Sequence, residues 1–270
     1  MAAYNNLIDR LAKWIADRLE ATSSGYKPYT PSDPQTLLAC LKPGDVLLIE
    51  GNQKISAGIK YLTQSTWSHA ALYVGDNLKG QKTKSGEQDR LIEVNLGDGC
   101  VSVPISKYET YNTRICRAEG LSEDERAKVV AFMVGKLGVK YDLRNIFDLA
   151  RYLLPTPPVP VRWRRRMLSL GSGEPTKAIC SSLIAQAFQS VAYPILPEVS
   201  LAPGRTSAHS IYSRREILHI RHHSLFTPRD FDLSPYFSII KPTIEKGFDH
   251  KKLNWGKPHI EVAAEENLDK

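Results

Sequence analysis

No run of about 18 apolar residues occurs in this 270-residue sequence, so no membrane-spanning helix is expected. The N-terminus, MAAYNNLIDRLAKWIADRLE, lacks the n-region and apolar h-region of a secretory leader. That points to a cytoplasmic location, with membrane association or export by a leaderless route left open. No Walker-type or dinucleotide glycine loop is present, so a phosphate-cradling nucleotide site is not expected. Cysteine is scarce. The four residues, Cys40, Cys100, Cys116 and Cys180, include no C-x-x-C pair and no metal-ligand spacing. This argues against a disulfide framework and reads as reduced thiols in a cytosol-like compartment. His219, His222 and His223 have no clear partner ligands, so neither a metal nor another cofactor is expected. There are no internal repeats.

What is present is ordinary for a globular chain: 42% hydrophobic and 24% charged residues, at a length that builds a core without disulfides or structural metal. The net charge of +7 suits anionic partners, such as a membrane surface, without selecting one. The run Arg162-Trp163-Arg164-Arg165-Arg166 could meet anionic lipid headgroups, but a solvated basic loop explains it as well. No specific nucleic-acid partner is expected, and nothing fixes an oligomeric state.

Residues 4–20 form an amphipathic pattern, with Leu7, Leu11, Trp14, Ile15 and Leu19 on one stripe. It suits a helix packed on the domain or an in-plane membrane anchor. Residues 22–35 look like a linker. The main domain opens near Leu41 with the turn Lys42-Pro43-Gly44-Asp45. Strands are expected at 46–50, 69–74, 91–96, 100–105 and 113–118, with a short helix over 53–63. Joined in this way, they pair as an antiparallel meander. Ser122 and Glu125 then make a capping box, and helices are expected from there to about 137, over 145–154, and from about 177 to 192. From 197 onward the pattern weakens to irregular chain, with a short strand at 217–220 and a solvated tail from 261. The fold class is therefore α+β, with an antiparallel sheet or small barrel packed against helices.

Cys180 lies in the first turn of its helix, on the stripe shared with Leu183, Ile184, Ala187, Phe188 and Val191. Free N–H groups and the helix dipole favour a thiolate there. The competing reading is a small buried hydrophobe. His69 opens a strand whose alternation puts His69, Ala71 and Tyr73 on one face. Glu93 interrupts the apolar strand Leu91-Ile92-Glu93-Val94-Asn95, either facing solvent or turned toward His69 as an orienting carboxylate. Asn95, on the same face, is a substitute for that role. Cys40, Cys100 and Cys116 read as strand or core residues.

Taken in order, Gly44-Asp45-Val46-Leu47-Leu48, Ser68-His69-Ala70-Ala71-Leu72-Tyr73-Val74-Gly75, Leu91-Ile92-Glu93-Val94, Tyr141-Asp142 and Ile179-Cys180-Ser181-Ser182-Leu183 resemble the circularly permuted papain-like hydrolases. The similarity is to the YaeF/YiiX-type amidases, relatives of the NlpC-type cell-wall hydrolases and the lecithin:retinol acyltransferases. It spans roughly 41–195. It implies a permuted papain-like fold with Cys180 as nucleophile, His69 as base and Glu93 as orienting residue. Tyr141 matches an aromatic near the pocket, and Ser181 and Tyr73 join it as candidate substrate-binding residues. The implied organisation is an N-terminal helix and linker (1–40), a catalytic domain (41–196) with a basic Pro-rich insertion (155–176), and a C-terminal extension (197–270). The implied activity is thiol-dependent cleavage of an amide in a peptide, an isopeptide or a peptidoglycan fragment, through an acyl-enzyme. Alternatives are a lipid ester or thioester hydrolase or acyltransferase at a membrane surface, and an inactive ligand-binding module.

Overall fold

The computed structural model describes residues 33–78, 80, 86–95, 98–139, 179–201, 216–219 and 221–254. The expected helices over 4–20 and 145–154, Tyr141, the basic insertion and the tail from 261 lie outside them.

Each strand begins or ends where the sequence places a turn. At Lys42-Pro43-Gly44-Asp45 the chain reverses through Gly44, whose φ of +90° is open to glycine without strain. Asp45 follows, fully buried. It accepts from the Lys42 N–H at 2.8 Å and from Arg117 Nε and Nη2 at 2.9 and 2.7 Å. This two-pronged, charge-assisted pair explains why an acidic residue stands at the head of an apolar strand.

Strands β1 (Val46–Ile49), β2 (His69–Tyr73), β3 (Leu91–Asn95), β4 (Gly99–Val103), β5 (Thr113–Ala118) and β8 (Phe237–Ile240) form one six-stranded sheet in the order β4-β3-β2-β1-β5-β8. Every pairing is antiparallel. β4 and β8 are its two edges, so the sheet stays open and the small-barrel alternative is not what forms. β1 lies between β2 and β5 and is buried along its whole length, hence its unbroken Val-Leu-Leu-Ile. A separate hairpin pairs β6 (Glu198–Leu201) with β7 (Glu216–His219).

Side-chain alternation sorts the core into two layers. Val46, Leu48, Ala70, Leu72, Ile92, Val94 and Cys116 face one way. They meet helix α3 (Glu123–Val134), through Val129, Val130 and Met133, and helix α4 (Ile179–Gln189), through Cys180, Leu183, Ile184 and Phe188. Leu47, Ile49, Ala71, Tyr73, Leu91 and Ile115 face the other way, onto Leu37 of helix α1 (Pro34–Cys40) and onto Ile105 and Tyr108 of a 3-10 turn. Helix α2 (Lys54–Thr63) links β1 to β2.

The weakly patterned region beyond 197 is more ordered than its sequence indicates. Helix α5 (Pro228–Leu233) and β8 follow there, and a short helix α6 (Pro242–Glu245) comes after them. Phe226, Phe231 and Phe237 are buried against α4. Their spacing follows neither a helical nor a strand period, because Phe226 lies in a connection, Phe231 in α5 and Phe237 in β8. Periodicity therefore does not find them.

Candidate active site

His69 is the first residue of β2, at a strand end, and its ring is half-buried with 21% of the side chain exposed. Immediately upstream, Ser68 Oγ accepts from the Gly51 N–H at 3.0 Å. A Cβ on Gly51 would lie 2.8 Å from that hydroxyl and 2.3 Å from the hydroxyl of Ser56, so only glycine admits this approach. That crossing anchors the segment leading into His69.

From β3, Glu93 reaches the same place with no exposed surface. His69 Nε2–H donates to Glu93 Oε2 at 3.1 Å. Tyr108 donates its hydroxyl to the same oxygen. Asn95 Nδ2 donates to Oε1 at 3.0 Å, and Lys107 donates its ammonium to Oε1 as well. Glu93 is thus not turned to solvent, and Asn95 supports it rather than replacing it. Both carboxylate oxygens are fully engaged, as a buried charge requires.

Cys180 enters from the opposite layer, in the first turn of α4, and is 6% exposed. It is hydrogen-bonded to His69, and the backbone N–H groups of Ala70 and Ser181 also bond to its sulfur. With Nε2 engaged by Glu93, Nδ1 is the ring nitrogen left for Cys180. The three residues therefore form a chain, Cys180 to His69 to Glu93, around the end of β2.

Burial opposes charge on each member, and the neighbours reverse it. Burial alone would push the Cys180 thiol up, but the His69 charge, its hydrogen bond and the two backbone N–H groups bring it below the usual 9.0. Burial alone would lower His69, yet Cys180 and Glu93 lift it to about 10. Glu93, despite its burial, is held below the ordinary carboxylate range by His69 and Lys107. Together these directions favour charge separation between Cys180 and His69. A thiol and an imidazole placed in this way can supply a sulfur nucleophile and a proton donor.

Neither Ser181 nor Tyr73 presents its side chain to this centre. Ser181 is fully buried, and its hydroxyl donates to the Phe226 carbonyl at 2.8 Å, so only its backbone serves the sulfur. Tyr73 is at the far end of β2 within the second core layer, about 13 Å along the strand from His69. Tyr141 lies outside the described residues. The sequence reading missed Lys107 and Tyr108. They arrive through a 3-10 turn after β4, 15 residues beyond Glu93 in the case of Tyr108, and the one local signal is that Ile105 and Tyr108 stack at the period of such a turn. Tyr108 also packs on the imidazole, with centroids 6.3 Å apart.

Among the described residues, no three His, Cys, Asp or Glu side chains converge into a group able to hold a metal. No described helix is long and apolar enough to cross a membrane.

No family model matches the sequence. A protein of Escherichia coli (strain K12) described as "Probable lipoprotein peptidase YaeF" is 24% identical over 169 residues, covering 57% of this chain and 58% of that protein. The chain is similar to YaeF over that stretch. It spans little more than half of YaeF's length. Among solved structures, the metalloprotein yiiX of Escherichia coli O157:H7 aligns with a TM-score of 0.42 and 14% identity, over 75% of this chain and 97% of that one.

Proposed function

We propose that this protein is a thiol-dependent hydrolase that cleaves an amide through an acyl-enzyme on Cys180. The observation that carries the reading is the chain of contacts from a helix-start cysteine to His69 and on to the wholly buried Glu93. A purely structural cysteine needs neither partner. The His, Glu, Cys order along the chain is that of permuted papain-like enzymes, and the peptidase description of YaeF favours an amide in a peptide or isopeptide.

In this mechanism Cys180 Sγ attacks the carbonyl carbon and the carbonyl π pair moves onto oxygen. Backbone N–H groups at the start of α4 stabilise that oxyanion, where the helix dipole also favours negative charge. The His69 imidazolium gives its Nδ1 proton to the departing amine as the C–N bond breaks. His69, now neutral, takes a proton from water, which attacks the thioester. The carboxylic acid departs and Cys180 returns as thiolate. Glu93 fixes the ring and balances its charge throughout, without itself taking a proton.

The test pairs a thiol-directed activity probe with a substrate panel of amide-linked muropeptides, isopeptides and lipid esters, on wild type and Cys180→Ala. Probe labelling and amide turnover that both vanish in Cys180→Ala are the expected result. Turnover confined to the lipid esters would move the substrate from amide to lipid. Absence of Cys180-dependent labelling, together with no turnover on any member of the panel, would sink the enzyme reading and leave a binding module.

A further inference from the structure

The reading of Cys180, His69 and Glu93 leaves one charge at the centre without a role, the ammonium of Lys107. It bonds to Glu93 Oε1, opposite the oxygen that His69 uses, and keeps 39% of its side chain exposed. We propose that Lys107 tunes the charge of this site: bonded to Glu93 Oε1, it offsets one of the two negative charges beside the imidazole. The inference rests on the Cys-His-Glu reading.

Charge balance gives the argument its force. Thiolate, imidazolium and carboxylate alone leave one surplus negative charge in a largely buried place, which is costly. Lys107 brings the sum to zero while its exposed portion stays hydrated. The other groups facing this cluster are Cys180 from α4, Cys100 from β4 and Tyr108 from its own turn, with Tyr111 beyond Tyr108 and Lys136 facing Cys100. Burial and the Glu93 charge push Tyr108 well above its usual range, and they lift Cys100 to about 11. Lys136 bears on Cys100 rather than on Glu93. Among the groups named, Lys107 is therefore the cation that meets the carboxylate from the side away from His69.

Deleting a nearby positive charge makes every neighbouring acid harder to deprotonate. The His69 titration should therefore move to higher pH in Lys107→Gln and in Lys107→Met, which keeps the aliphatic stem. Solvent screening at the half-exposed ammonium limits the shift to about half a unit. Lys107→Arg keeps the charge and should superimpose on wild type. A merely structural lysine would not separate the neutral variants from the arginine one in this way.

The measurement is the His69 imidazole titration by NMR, with the resonance assigned by its loss in His69→Asn. Iodoacetamide alkylation of Cys180 is followed by mass spectrometry in the same samples. A raised wild-type midpoint, a further rise in both neutral variants and restoration in Lys107→Arg support the proposal. A wild-type midpoint near 6.5 without preferential alkylation of Cys180 overturns the triad reading and the proposal together. A raised wild-type midpoint that stays put or falls in the neutral variants, or that arginine fails to restore, overturns the role of Lys107 alone.

Discussion

Glu93 sits at the point where folding and chemistry meet in this molecule. Its carboxylate has four donors and no exposed surface, so the chain must assemble those donors before the residue can be buried as an anion. Glu93→Gln keeps the shape and removes the charge. His69 then loses its stabilising anion and becomes easier to deprotonate, and the Cys180 thiolate loses part of its counter-ion. The His69 imidazole titration should accordingly move to lower pH. Turnover should fall about 10²- to 10⁴-fold, as when a triad carboxylate becomes an amide. The same variant makes a stability prediction. Because the folded Glu93 titrates below its ordinary 4.5, its charge stabilises the fold fully above that pH. This contribution disappears as pH falls through the folded value. In urea unfolding, wild type should therefore exceed Glu93→Gln above about pH 4.5, and the gap should close on acidification. A gap that widens in acid would contradict this account of Glu93.

Helix α4 connects Cys180 to the core. Cys180 projects from its first turn, and Phe188, two turns on, is fully buried against Phe231 and Phe237, with ring centroids 6.3 and 5.2 Å away, and against Tyr193 at 5.6 Å. Phe188→Ala removes the centre of that cluster and should cost about 3–5 kcal/mol in urea unfolding. A loss below about 1 kcal/mol would show that the cluster collapses around the gap without cost. The elements that were legible in the sequence share one property, that their pattern is local. Val46–Ile49, His69–Tyr73 and Thr113–Ala118 are bracketed by turn residues, and α3 carries its capping box at Ser122 and Glu125. Apart from β7, which lies where a short strand is expected at 217–220, the C-terminal segment was not legible. β8 is an edge strand whose Phe237–Ile240 pairs with β5 across more than a hundred residues, and Phe226, Phe231 and Phe237 lie in a connection, a helix and a strand respectively. The site divides in the same way. His69 and Cys180 stand at element starts that the sequence marks, whereas Lys107 and Tyr108 join Glu93 only through the fold.

Seen across the whole molecule, the centre draws on β2, β3, the turn holding Lys107 and Tyr108, and α4, which share no local stretch of chain. Cys180 comes from one layer of the core and Tyr108 from the other, so the two meet only when the sheet between them is complete. The altered acidity of Cys180 should therefore be a property of the native fold and not of its neighbours in sequence. Cys100 provides a contrast within the same molecule, since burial and the Glu93 charge push its thiol up to about 11. Cys116 moves in the same direction through burial. The most direct test is the ultraviolet absorbance of thiolate as a function of pH, taken as the difference between wild type and Cys180→Ala, in native buffer and in urea. The account predicts a native Cys180 step below 9.0 that returns to the ordinary thiol range when urea unfolds the chain. A native step at or above 9.0, like those of the other buried thiols, would contradict it.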